Sequence, residues 1–225
     1  MPDIQLTTSD AHTLSAHRVD PLGSARGGVV VIQEIFGVNA HIRAVVARFA
    51  AAGYTTLAPA FFDRVERGVQ LGYDQQGFGR GREIVGQLEP AGVLADLGAA
   101  VELLHGENLP VAIVGYCWGG AVVWSAAHRM TTLACAISYY GSRIVGMVDD
   151  RPNVPLMMHV GRHDASLPLA KVHAIGERYG QIAIHEYDAG HGFDCDHRGD
   201  FDSTASAHAM MRSLAFIAEH MPERR

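Results

Sequence analysis

Residues 111–120 read VAIVGYCWGG, and this stretch decides the fold that we expect. Its first four residues are apolar and predict a buried strand, while the residues after Cys117 begin a helical pattern. At a sharp turn from strand to helix the central residue has a strained backbone, and side chains two positions away would collide. Gly115 and Gly119 remove those side chains. The stretch therefore predicts a nucleophile elbow that exposes the thiol of Cys117.

Length and composition predict one globular domain over residues 1–225. A chain of 225 residues buries roughly 70% of its unfolded surface, so its core needs neither a disulfide nor a metal. No apolar run approaches the ~18 residues of a membrane span, and the N-terminus does not resemble a secretory signal. The net charge of −6 argues against a nucleic-acid partner. Three cysteines without zinc-like spacing favour a reducing compartment, so we predict a cytoplasmic protein with no membrane partner.

Apolar strand runs alternate with helical patterns along the chain. This order predicts an α/β fold with a mostly parallel central sheet and helices on both faces. The predicted strands cover residues 28–32, 54–58, 111–114, 133–139, 156–160 and 182–187. The predicted helices cover residues 41–52, 93–105, 121–128, 167–178 and 201–220. The glycine-rich segment 63–90 is typical of a loop or lid beside a site, and equally of a plain solvated excursion.

Two loops carry candidate partners for Cys117. Asp164 lies in VGRHDASLP, residues 160–168, and His191 lies in YDAGHGF, residues 187–193, each after a predicted strand. In an open parallel sheet such loops lie at the carboxyl edge, where ligands bind. Nucleophile, acid and base then follow in the order of the α/β-hydrolase triad. A thiol needs a neighbouring base to form its thiolate, so we predict acyl transfer to Cys117, with His191 as base and Asp164 as its orienting acid.

Several residues near these loops have alternative interpretations. The acids at 149, 150, 188 and 194 are rivals of Asp164, and each is also typical of a cap or a solvated turn. Cys135 lies within a predicted strand and is interpreted as an inert core residue. The cluster DCDH at 194–197 contains metal-ligand residue types, but adjacent residues cannot all converge on one ion. We therefore predict no metal and no other cofactor.

Four motifs in one order resemble the dienelactone hydrolase family, the carboxymethylenebutenolidases. They are QEIFG at 33–37, GYCWGG at 115–120, GRHD at 161–164 and GHGF at 190–193. The resemblance spans nearly the whole chain and implies a single α/β-hydrolase domain without a large cap. It also implies hydrolysis of unsaturated lactones formed during the breakdown of aromatic compounds.

The resemblance assigns further residues in the first of these motifs. It implies that the backbone amides of Ile35 and Trp118 form an oxyanion hole, and that Glu34 is an extra carboxylate that contacts the resting thiol. A carboxylate at the same edge as Cys117 would oppose thiolate formation until an anionic substrate moves it. The alternative for Glu34 is a carboxylate that caps the helix near Asn39.

The substrate site follows the family pattern only in part. The resemblance implies Phe36, Tyr116, Arg80 and Arg82 as substrate-binding residues, and a further arginine shortly after the catalytic histidine. Residues 192–195 read GFDC, so that arginine is absent from its expected place. Arg198 could supply the contact instead. We therefore expect a small-molecule lactone or ester substrate, with the reaction class better determined than the substrate.

Two other functions remain open for this sequence. One is a broader carboxylesterase or thioesterase that uses the same triad. The other is a thiol redox sensor, in which Cys195 is the plausible partner of Cys117. The expected assembly is a monomer or a small homo-oligomer.

Overall fold

The structure is a computed structural model, and it describes residues 3–147 and 151–221. The chain forms two compact units, Met1–Val111 and Ala112–Arg225. Each unit contains strands of one sheet with helices packed on them. The single domain predicted over 1–225 stays a prediction, and Asp149 and Asp150 lie outside the described residues.

The first unit has four strands in the order β1-β2-β4-β3. Strands β3 and β4 are parallel, whereas β1, β2 and β4 pair antiparallel in succession. Strands β3 and β4 are fully buried, which explains the continuous apolar sequence of β3. The strands are β1 Ile4–Thr7, β2 Thr13–Val19, β3 Gly28–Ile32 and β4 Thr55–Pro59. The helices are α1 Ala40–Ala51, α2 Gln75–Val85 and α3 Pro90–Gly106.

The second unit has four parallel strands in sequential order, β5-β6-β7-β8. Helix α4 packs on β6, and α6 packs on β6 and β7. The strands are β5 Val111–Tyr116, β6 Cys135–Tyr139, β7 Leu156–Gly161 and β8 Ala183–Tyr187. The helices are α4 Trp118–Arg129, α5 Leu169–Arg178 and α6 Ser203–His220.

The loop predicted over residues 63–90 is wrong for its second half, which forms helix α2. Asp74 caps this helix by accepting a hydrogen bond from the Gly77 amide. Glycines hide the helix in the sequence because they lower helix propensity. Two of them are needed for close packing: a Cβ added at Gly77 would lie 2.1 Å from the Gly72 carbonyl oxygen, and one at Gly81 would lie 1.9 Å from that of Ile35.

The N-terminal strands β1 and β2 were not among the predicted strands. Their residues alternate between buried and exposed positions, so they lack the continuous apolar run of β3. The other predicted strands and helices are found, with ends that differ by a few residues.

We compared the length and hydropathy of the helices in residues 3–147 and 151–221 with those of a membrane-spanning helix. No single helix there is both long and apolar enough to cross a membrane, although the bent pair α2 and α3 passes that test when taken together.

Candidate active site

The turn between β5 and α4 has the strained geometry predicted for the elbow. Cys117 has φ 54° and ψ −112°, a region that non-glycine residues seldom occupy. A Cβ added at Gly115 would lie 2.1 Å from the carbonyl oxygen of Gly119, so a larger residue would collide there. The Cys117 amide donates to the Tyr139 carbonyl at 3.0 Å, which ties the elbow to the end of β6.

The three predicted triad residues meet in the second unit. Nε2 of His191 lies 3.1 Å from Sγ of Cys117, and Nδ1 lies 2.7 Å from Oδ2 of Asp164. The Asp164 side chain is fully buried, and its other oxygen accepts a hydrogen bond from the Ser166 amide at 2.8 Å. Cys117 remains partly exposed. The arrangement is a row of thiol, imidazole and carboxylate with its nucleophilic end accessible.

The environment of His191 favours its protonated form. Burial by itself lowers the pKa of His191, but its hydrogen bonds to Asp164 and Cys117, and electrostatic interaction with the same two groups, raise it to about 10 from 6.5. A protonated imidazole donates at both nitrogens, so the sulfur and the carboxylate both accept. The imidazole can therefore hold a proton beside the sulfur and deliver it to a leaving group.

Glu34 lies in the first unit, directly after β3, and is fully buried. The hydroxyl of Tyr73 donates to its Oε2 at 2.7 Å, and Asn39 donates to the Tyr73 hydroxyl at 3.2 Å. Asn39 is the N-cap of α1, because its Oδ1 accepts from the Ile42 amide. The alternative interpretation of Glu34 as the cap of this helix is therefore wrong. Tyr73 was not found from the sequence, since it lies in the segment interpreted as a loop.

The remaining residues assigned by resemblance are placed as follows. Ile35 and Phe36 are buried after Glu34, and the Phe36 ring lies 4.4 Å from that of Tyr73 between centroids. Trp118 is the first residue of α4, so its amide belongs to the first turn of the helix, where backbone N–H groups can bind an anion. The oxyanion hole of Ile35 and Trp118 stays a prediction.

Tyr116 lies at the end of β5 with its side chain buried. Its side chain is 1% exposed and stacks on Tyr139, with ring centroids 4.5 Å apart. Substrate contact by Tyr116 stays a prediction.

The two predicted substrate arginines lie on α2. Arg80 forms ion pairs with Glu66 and, at 2.7 Å, with Glu83. Arg82 is exposed, and its guanidinium lies 5.7 Å from the centre of the Phe78 ring. Substrate binding by either arginine stays a prediction. Arg198 packs against the loop after His191, since a Cβ added at Gly192 would lie 2.8 Å from its Nε.

Tyr140 is a site residue that the sequence analysis missed. It is fully buried, has φ 40°, and presents its ring to the His191 imidazole at 5.2 Å between centroids. Its position directly after β6, at the carboxyl end of a parallel strand, is the signal that could have found it.

The other cysteines and the DCDH cluster are arranged as core and surface residues. Burial raises the pKa of Cys135 to about 12, which agrees with its prediction as an inert core thiol. Asp194 and Cys195 are buried, whereas Asp196 and His197 are exposed. The four side chains therefore face different surroundings. All three cysteines are among the described residues, and none forms a disulfide.

Comparisons with known proteins identify the family of this chain. A family model for the dienelactone hydrolase family matches residues 14–221. Carboxymethylenebutenolidases from Pseudomonas putida and Pseudomonas knackmussii are each 31% identical to the chain, over 96% of this chain and 95% of theirs.

Solved structures show the same fold. A candidate dienelactone hydrolase from Klebsiella pneumoniae has a TM-score of 0.82 at 27% identity, over 97% of this chain and 100% of its own. An α/β hydrolase from a Penicillium species has a TM-score of 0.68 at 16% identity, over 98% of both chains. The predicted α/β-hydrolase fold is therefore confirmed, and the described residues contain no large inserted cap.

Proposed function

Because this chain belongs to the dienelactone hydrolase family, we propose that it hydrolyses lactone or ester bonds through a thioester on Cys117. Family membership supports a hydrolase of such bonds. The observation that supports the mechanism is the hydrogen-bonded row of Cys117, His191 and Asp164. Acyl transfer to a thiol requires a nucleophile, a base and a group that orients the base, and this row supplies those three residue types.

In the proposed acylation step, the sulfur of Cys117 attacks the substrate carbonyl carbon and a C–S bond forms. The amides of Ile35 and Trp118 stabilise the resulting oxyanion. When the intermediate collapses, the C–O bond breaks and His191 gives its proton to the departing oxygen. Water then attacks the thioester, with His191 as base, and releases the acid and the free enzyme. Asp164 holds the imidazole in orientation and stabilises its positive charge throughout.

We assign Glu34 the role of a carboxylate that restrains the resting thiol. It is fully buried, and its Oε2 accepts a hydrogen bond from the Tyr73 hydroxyl. An anionic substrate would displace it and so remove its opposition to thiolate formation beside His191. The test is thiolate absorbance with and without a lactone analogue. A thiol that is already ionised in the free protein at neutral pH would rule out this switch.

The proposed physiological substrate is a dienelactone from aromatic-compound breakdown. A neutral carboxylic ester is the second candidate, and the thioester of a small acid belongs to the same class. Two observations favour the neutral ester: residues 192–195 contain no arginine, and Arg80 is already paired with two carboxylates. Loss of one bidentate arginine contact weakens binding of an anion but leaves the acyl chemistry intact.

We also propose a cytoplasmic protein that acts as a monomer or small homo-oligomer, without cofactor or nucleic-acid partner. The net charge of −6 supports only the part of this proposal that excludes a nucleic-acid partner. A redox sensor is less well supported, because Cys195 is fully buried and a resolving thiol must be reached by its partner.

The test of the proposed function is a substrate panel of cis- and trans-dienelactone beside neutral aryl esters, with Cys117→Ala as the blank. Turnover of the dienelactones above the aryl esters supports the first candidate. Turnover that improves when the substrate acid group is removed supports the second. No turnover of either class by the wild type contradicts both.

A further inference from the structure

A row of polar side chains crosses the interior of the second unit. The Tyr139 hydroxyl lies 2.7 Å from Oγ of Ser213, and that oxygen lies 3.0 Å from Nε2 of His159. Nδ1 of His159 lies 2.8 Å from the hydroxyl of Tyr187. We call these four residues the His159 row. Its members come from β6, α6, β7 and β8, and each is at least 95% buried.

His159 is neutral at the centre of the row. Burial, with the charges of His185 and Arg212, lowers the pKa of His159 well below its usual value. A neutral imidazole donates at one nitrogen and accepts at the other, so both of its nitrogens are used within the row. A buried network that is satisfied in this way is rigid and holds its elements in one arrangement.

The main-chain carbonyls of the same residues hold the loops of the active site. The Tyr139 carbonyl accepts from the Cys117 amide at 3.0 Å, and the His159 carbonyl accepts from the Tyr140 amide at 2.8 Å. The Tyr187 carbonyl accepts from the Arg162 amide at 2.8 Å, two residues before Asp164. Three residues of the row therefore anchor the nucleophile, the ring beside His191 and the loop of the acid.

We propose that the His159 row positions the catalytic triad, with His159 and Ser213 as positioning residues that act through these three carbonyls. A row that moved would shift Cys117, Tyr140 and Arg162 together, and the distances from His191 to its two partners would change. A displacement of about 1 Å in such a site is enough to reduce turnover about 100-fold. The effect on turnover rests on the proposed function, whereas the effect on the His191–Asp164 hydrogen bond does not.

The first test removes the central hydroxyl with Ser213→Ala. This change breaks the connection between His159 and Tyr139 and leaves the triad residues intact. We expect kcat for an activated aryl ester to fall about tenfold, while KM changes less than about twofold, because alignment and not substrate binding is disturbed. The matched control is Ile217→Val, a buried position one turn further along α6. It loosens the same helix without removing a hydrogen bond of the row, and we expect wild-type kcat.

The second test varies His159 itself. His159→Gln keeps a group that donates and accepts, whereas His159→Leu keeps neither. We expect kcat of His159→Gln to lie between the values for the wild type and His159→Leu. Equal loss in both variants, at equal fold stability, would show that the hydrogen bonds of the row do not position the site.

The third readout needs no turnover. In protein labelled with ¹⁵N-histidine, NMR titration should give a raised pKa for His191 in the wild type and a value at least about one unit lower in Ser213→Ala. If the His191 pKa is lower in Ser213→Ala than in the wild type, but the wild type has no esterase activity, the result would support the His159 row and contradict the proposed function. Folded Ser213→Ala and His159→Leu with wild-type kcat and His191 titration would overturn the proposal, as would an equal loss in Ile217→Val.

Discussion

The row of Cys117, His191 and Asp164 depends on one carboxylate that is closed off from solvent. Asp164 accepts from both His191 and Ser166, so the side chain has one orientation. It therefore fixes which imidazole nitrogen faces the sulfur. The chemistry at this residue depends on a hydrogen bond and on a negative charge, and one variant can remove the charge while keeping the shape of the side chain.

Asp164→Asn keeps the shape of the side chain and removes its charge. An amide can donate to Nδ1 and select the wrong tautomer, and it no longer stabilises the imidazolium. We expect kcat to fall by about 10³- to 10⁴-fold with an intact fold. Steady-state kinetics with an activated aryl ester provides the measurement. A loss below about tenfold would show that Asp164 does not support the base.

The raised pKa of His191 also predicts how stability depends on pH. The folded-state value of about 10 exceeds the ordinary value of 6.5, so the contribution is fully present below pH 6.5 and is lost as pH rises toward 10. We expect the difference in unfolding free energy between wild type and His191→Gln to shrink across this range. Urea unfolding at pH 6, 8 and 10 measures it. A difference that stays constant with pH would contradict the raised value.

At the scale of single elements, close backbone contacts position the residues around the site. Helix α2 approaches the main chain of Ile35 through Gly81, where an added Cβ would lie 1.9 Å from the carbonyl oxygen. In contrast, Gly79 on the same helix has open space around it. Substituting each glycine in turn therefore separates the effect of helix propensity on stability from the effect of the contact with Ile35.

Gly81→Ala should displace α2 or Ile35, and we expect a loss of about 1–3 kcal/mol in unfolding free energy together with lower kcat. Gly79→Ala is the control, because alanine favours the helix and meets no neighbour. It should raise stability by about 0.5–1 kcal/mol without lowering kcat. Denaturant unfolding and ester hydrolysis of both variants provide the data. Equal behaviour of the two variants would show that the contact with Ile35 has no role.

At the scale of the whole molecule, the sequence predicts those features that depend on local sterics and on chain order. Gly115 and Gly119 predict the elbow, and the order of Cys117, Asp164 and His191 predicts which loops meet, because parallel strands deliver their ends to one edge. The apolar runs of the buried strands predict most of the parallel sheet.

Other features depend on contacts that a linear pattern does not contain. Helix α2 is hidden because its glycines serve close packing against Gly72 and Ile35. Strands β1 and β2 are hidden because their residues alternate in burial. Tyr73, Tyr140 and the His159 row become visible only when distant segments are brought together.

The central claim is that the sulfur of Cys117 carries the acyl group during turnover. Rapid quenching of the reaction with an activated aryl ester, followed by intact mass and peptide mapping, tests it most directly. We expect one acyl group on the peptide that contains Cys117, and no adduct in Cys117→Ala. Full turnover by Cys117→Ala, or an acyl group on another residue of an active wild type, would contradict it.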